Sequence, residues 1–160
     1  MADRDPSQSL VGADYQAMAA FRHALRRFAA FSENAAHSVG LTPQQHQALL
    51  AIRAHIGAEP MTISELAEAL LIKNHSAVGL VARLVERDLV TRNPSPLDRR
   101  RILLRPTAEA EVLLEQVVAT NLRELSASAP IFRELLKTLR RLTDEPTPAK
   151  PAAATRRAPK

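Results

Sequence analysis

Along most of this chain the apolar positions recur with a helical period, and in one place they switch to short strand-like runs. Between residues 75 and 87, at about 100° per residue, Ala77, Val78, Val81, Leu84 and Val85 gather on one side. His75, Ser76, Gly79, Leu80, Arg83, Glu86 and Arg87 gather on the other. Upstream, Thr62-Ile63-Ser64-Glu65 is a Thr-x-x-Glu capping box. It heads an apolar run through Leu66, Ala67, Leu70 and Leu71, which predicts a short helix broken at Lys73-Asn74. Downstream, Leu89–Arg92 and Ile102–Arg105 read as two strands joined by a Pro-stiffened loop.

The flanks are helical. From Ala13 to about His37, Met18, Phe21, Leu25 and Phe28 step by 3, 4 and 3, a seam suited to a partner helix or to an ordinary core. Gly40 ends that region. Thr42-Pro43-Gln44-Gln45 then sets a cap, a first-position proline and a reciprocal Gln. The helix it starts is expected to reach Ile56, with Leu49, Ile52 and Ile56 inward. After the strands, Thr107 caps a helix over 108–127 with Val112, Leu113, Gln116, Val117 and Leu122 as its inner side. Ser126 to Pro130 is expected to break it before a last helix carrying Phe132, Leu135, Leu136, Leu139 and Leu142.

Two helices joined by a tight turn and followed by a hairpin are the order of a winged helix-turn-helix, a DNA-reading module. The fold class expected is mainly α with a small β-hairpin wing. Residues 41–106 form the DNA-binding lobe, and 13–40 with 107–143 a helical dimerisation lobe. Residues 1–12 are expected to be a flexible N-terminus and 144–160, rich in Pro, Ala and Lys/Arg, a disordered basic tail. The long flanking helices carry more apolar surface than the small winged module can cover, which points to a two-fold homodimer.

Charge sharpens this picture. The net +5 is unevenly spread. Residues 73–105 hold 8 basic and 3 acidic side chains, and 146–160 hold 4 basic and none acidic; the stretches 1–72 and 106–145 are each at −2. A polyanion met by the reading helix, the wing and the tail fits that distribution. With no cysteine, thiolate metal sites, disulfides and thiol redox sensing are excluded. No apolar run approaches the ~18 residues of a membrane span. Met1 to Pro6 has no signal-peptide pattern, so a cytoplasmic protein without a membrane partner is expected.

The candidate reading residues are Asn74, His75, Ser76, Gly79 and Arg83. Gly79 costs a helix about 1 kcal/mol against Ala, so either the bases or a neighbouring helix must come close. Leu80 can meet a thymine methyl or pack under the preceding helix, and His75 can donate to DNA or stand in solvent. In the wing, Asp98-Arg99-Arg100-Arg101 presents three guanidinium groups suited to phosphate and minor-groove contact. Asp98 is expected to hold an arginine, Arg100, through a bidentate pair. The five histidines show no metal-ligand spacing, no Gly-rich phosphate loop is present, and no catalytic constellation appears. Neither an enzyme nor a cofactor is expected.

Together, Thr62 to Ala67, Ser76-Ala77-Val78, Leu84 to Val90 and Asp98 to Leu104 resemble the multiple-antibiotic-resistance regulator (MarR) family, whose wing Asp-x-Arg falls on Asp98 and Arg100. The resemblance covers about residues 41–113. It departs at Gly79 and Leu80, where the family often has Thr or Ser followed by Arg, at Asp88 in place of Gly, and at Thr107 to Ala110. It implies a homodimeric transcription regulator on a palindromic operator of double-stranded DNA, usually a repressor released by a small, often aromatic and anionic ligand. Phe21, Arg22, Phe28 and His46 are the candidates for that ligand's cleft. The peroxide-sensing mode of the family needs a cysteine this chain lacks. The alternative from a different class is a winged-helix architectural or interaction module that binds DNA by charge without sequence readout.

Overall fold

The structure, a computed structural model, describes residues 12–144. Its elements are α1 (Gly12–Ser38), α2 (Pro43–Ala54), α3 (Ile63–Ala69), α4 (Asn74–Glu86), β1 (Val90–Pro94), β2 (Ile102–Pro106) and α5 (Ala108–Asp144). The fold is mainly helical with one antiparallel hairpin, as the pattern predicts. The expected flexible N-terminus and basic tail lie outside the described residues, apart from Gly12 and Asp144. By contacts the chain divides into residues 24–129 and a second unit of residues up to His23 with those from Pro130 onward.

Three threonines start helices. Thr42 and Thr62 form full capping boxes with Gln45 and Glu65. Thr107 accepts the Ala110 amide at 3.2 Å and donates to the Asp88 carbonyl at 2.7 Å. Each cap is worth about 1 kcal/mol.

Three helices also end alike. The amides of Gly40, Leu71 and Asp88 return to His37, Glu68 and Val85, and the next amides, of Leu41, Ile72 and Leu89, return to Ala36, Ala67 and Leu84. These are Schellman ends, in which the turning residue is left-handed. The φ values are 76° for Gly40, 54° for Leu71 and 53° for Asp88. Asp88 therefore fills the family's glycine position in the glycine conformation. Leu71 does so with a β-carbon that disfavours it by roughly 1–2 kcal/mol.

Those endings aim the next residues inward. Leu41 and Leu89 are buried, in one core with Leu49, Leu66, Leu80, Val81, Leu84, Leu104 and Leu114. The hairpin pairs Val90 with Pro106 through Pro94 with Ile102. A bridge from Thr62 to Leu103 and the bond from the Leu104 amide to the Met61 carbonyl (2.8 Å) tie it to the start of α3.

Several expectations are corrected. No break occurs at Ser126–Pro130: α5 continues through Pro130, which removes one backbone donor from a long helix without ending it. Its inner stripe in residues 24–129 is Ala110, Leu114, Val117 and Asn121, whereas Val112, Gln116 and Leu122 are exposed. Ile56 lies beyond the end of α2 and is 99% exposed. Leu71 is not inside α3 but in its turn, 93% exposed. On α4 the two sides exchange a residue: Leu80 is 2% exposed and Val78 47%, because the inward stripe centres on Ala77 and Leu84.

Leu71→Gly is expected to raise stability by roughly 0.5–1 kcal/mol by removing left-handed strain. Gly40→Ala, which meets open space but a left-handed φ of 76°, is expected to lower it by about 1 kcal/mol. Thermal denaturation of both variants reads the signs; a destabilised Leu71→Gly would remove strain as the explanation.

Candidate functional site

The wing loop is built on one carboxylate. Glu59, in the segment between α2 and α3, accepts the buried Ser95 hydroxyl on one oxygen and the Arg101 guanidinium at 2.8 Å on the other. The Ser95 oxygen in turn accepts the amides of Leu97 (3.1 Å) and Asp98 (3.3 Å). The Ser95 amide bonds to the Arg101 carbonyl at 2.8 Å, closing the loop. Arg101 also reaches Glu65 at 3.7 Å. Glu65 is held below its ordinary carboxylate value by the Thr62 backbone and hydroxyl bonds, aided by His55 and Arg101.

Of the three wing arginines, Arg101, though exposed, is therefore paired with the protein's own carboxylates. Arg99 and Arg100 are exposed, and neither guanidinium has a side-chain partner among the described residues. Asp98 does not form the expected bidentate pair. Its carboxylate accepts the backbone amide of Arg100 at 3.0 Å, because two residues along a tight turn the amide is nearer than the guanidinium.

α4 presents Asn74, His75, Ser76, Val78, Ala82 and Arg83 to solvent. A groove of about 510 Å³ runs between it, the start of α3 and the wing, lined by Asn74, Val78, Thr62, Glu65, Arg100 and Arg101 among others. A β-carbon at Gly79 would meet only an Arg83 nitrogen at 3.6 Å, so no neighbouring helix demands the glycine. Arg87 is turned to another use. It donates to the Gly40 carbonyl (3.0 Å) and to Gln45 (2.8 Å), clamping the end of α4 to the start of α2.

A second cavity, of about 390 Å³, lies among α1, α2 and α5, with Phe28, Ser32, Glu33, Pro43, His46, Leu50, Val118 and Asn121 in its wall. His46 and Asn121 are buried, and among the described residues His46 Nε2 and Asn121 Oδ1 have no hydrogen-bond partner. Asn121 gives one amide N–H to Ser32 Oγ at 2.9 Å. Burial lowers the His46 pKa from its ordinary 6.5, so the ring is neutral at pH 7.

Residues 39–101 match the sequence profile of the MarR family. The chain is 33% identical over 107 residues to the HTH-type transcriptional repressor NicR of Pseudomonas putida, an alignment spanning 66% of this chain and 66% of that relative. The chain belongs to the MarR family. In structure it is similar to CouR from Rhodococcus jostii RHA1 bound to p-coumaroyl-CoA, at 21% identity and a TM-score of 0.60 over 79% of this chain and 90% of that one. It is likewise similar to an S. aureus MepR variant bound to an oligodeoxyribonucleotide, at 19% identity and 0.60 over 83% and 99%.

MarR proteins are DNA-binding transcription regulators rather than enzymes. Among the described residues of this MarR chain, no helix is long and apolar enough to cross a membrane. Of the residues singled out from sequence, Asn74 and Arg100 come together on the groove. His75, Ser76, Arg83, Asp98 and Arg99 are exposed and Gly79 partly so, outside its wall. Phe28 and His46 line the cavity, whereas Phe21 and Arg22 do not. Sequence reasoning missed Glu59, Ser95 and Asn121. The usable signals were a serine between two prolines and a polar residue on the apolar stripe of α5; Glu59 had none, since its partners are 36 and 42 residues away.

Glu59→Ala should free the wing loop without unfolding the helices. Amide exchange at Leu97 and Asp98 is expected to quicken at least about tenfold, the loss of one to two hydrogen bonds. Unchanged protection there would show that the hairpin holds its loop unaided.

Proposed function

We propose that the chain is a homodimeric repressor that reads a palindromic operator. The supporting observation is that Arg100 of the wing and Asn74 of α4 border one groove while Arg83, Arg99 and Arg100 have no counter-charge among the described residues. Two α4 helices would enter successive major grooves about 34 Å apart, and the wings would lay Arg99 and Arg100 on the flanking backbone and minor groove. Asn74, His75, Ser76 and Arg83 would hydrogen-bond to bases or phosphates; Val78 and Ala82 are placed to meet thymine methyls. Residues 41–106 act as the DNA-binding lobe, and 13–40 with 107–143 as the dimerisation lobe. The exposed Tyr15, Met18 and Leu25 of α1 and Leu136 of α5 support that assignment. The kinship with a repressor supports the sign of regulation. Duplex DNA as partner makes the cytoplasm the place of action.

The cavity lined by His46 and Asn121 is read as the site of a small effector. Its α2 wall, Pro43 and His46, belongs to the turn that Arg87 clamps through Gln45. Occupancy of the cavity would thus bias the position of α4 through Arg87.

Two measurements test this reading. In gel shifts with the DNA upstream of its own gene, Arg100→Ala is expected to lower operator affinity by at least about tenfold, the scale of a lost charge-assisted contact, with the dimer intact by sedimentation. Equal affinity for operator and scrambled duplex at matched salt would instead favour a charge-only architectural binder. For the Arg87 link, adding operator should slow amide exchange at His46 and Gln47 in the wild type but not in Arg87→Ala, since coupling is reciprocal. Equal slowing in both proteins would take Arg87 out of the path.

A further inference from the structure

We propose that the α1–α2–α5 cavity selects an uncharged ring compound carrying an N–H or O–H donor, and excludes carboxylates. This rests on reading the cavity as the effector site, and it departs from the anionic ligand that the family resemblance implies.

Three features of the wall carry it. First, Asn121 is buried, one N–H of its amide is given to Ser32, and among the described residues its oxygen has no partner. A buried acceptor left empty has lost its hydration without compensation, which a ligand donor would restore. Second, among the described residues no Lys or Arg lines the cavity, and the one acidic side chain in its wall is Glu33. A carboxylate placed there would lose its water, face an amide oxygen and a second carboxylate, and gain no counter-charge. Burial disfavours the charged form of His46, which weakens it as a counter-charge. Its unpartnered Nε2 is the second polar point on the wall, open to a neutral group. Third, Phe28, Leu50 and Val118 make much of the remaining lining apolar. With about 390 Å³ available, the site is at the small end of ligand cavities and suits one or two rings. Phe28 offers an aromatic face or edge to such a ring.

The test uses the full-length dimer and three probes of nearly one shape: benzamide, benzoate and methyl benzoate, titrated calorimetrically at pH 7.5. Benzamide is neutral with an N–H donor, methyl benzoate is neutral without one, and benzoate is anionic. The expected order is benzamide first, with benzoate at least about tenfold weaker. Asn121→Leu, checked for folding by its melting temperature, should erase the advantage of benzamide over methyl benzoate. Benzoate binding as tightly as benzamide would overturn the proposed ligand class while leaving the cavity an effector site. Failure of all three to bind, or to shift the NMR signals of His46 and Asn121, would overturn both readings.

Discussion

A two-stranded hairpin is barely stable alone in water, and the wing here is fixed by the side chain of Glu59. One oxygen takes the Ser95 hydroxyl, the other the Arg101 guanidinium. Through Ser95 the same carboxylate organises the amides of Leu97 and Asp98. The arrangement divides a run of three arginines by function. Arg101 is consumed in holding the loop, and Arg99 and Arg100 are what the loop holds out. A flexible loop with three free guanidinium groups would have to be ordered on contact with DNA, at roughly 1–2 kcal/mol per backbone residue. Here much of that ordering is done in advance.

The helices that support the wing are set by their ends more than by their lengths. α3 has only seven residues and is too short to stand alone. It has a reciprocal Thr62–Glu65 cap at one end and a Schellman turn at the other, so several of its spare backbone groups are satisfied. That turn requires a left-handed residue, and Leu71 adopts it with its side chain in solvent. The strain is tolerated because the following amide, of Ile72, then reaches Ala67 and α4 starts two residues on. The angle between α3 and α4 is thus written into the four residues Leu70 to Lys73.

Local rules made most of this legible. Caps at Thr42, Thr62 and Thr107, the helical stripe of α4 and the wing strands all depend on neighbours within a few positions. So did Asp88, which takes the conformation that a glycine usually fills. What the sequence hid depends on distance or on competition. Glu59 meets Ser95 and Arg101 only after the chain has folded back. Pro130 looked like a stop, yet one missing donor in a helix of 37 residues does not outweigh the turns on either side. The exchange of Val78 and Leu80 shows the limit of an angular plot: the buried arc of α4 is narrow, and the two residues sit near its edges. In the cavity, His46 and Phe28 were reachable from pattern and resemblance; Asn121 was visible only as a polar residue in the wrong place on a stripe.

The distance between the cavity and the reading helix is bridged by a short physical chain. The first turn of α2 lines the cavity with Pro43 and His46, and between them Gln45 accepts both the Thr42 amide and the Arg87 guanidinium. Arg87 caps the end of α4 and also holds the Gly40 carbonyl at the end of α1. A shift of that turn must either carry Arg87 along or break charge-assisted bonds worth about 1.5–3 kcal/mol each when shielded and less at an exposed site. Typical coupling between an effector and a second ligand is 1–3 kcal/mol. One clamp of this kind is therefore of the right size to transmit a response. Under the proposed effector reading a stronger connection would gain little, since a switch of that kind would need both positions of α4 within a few kcal/mol of each other.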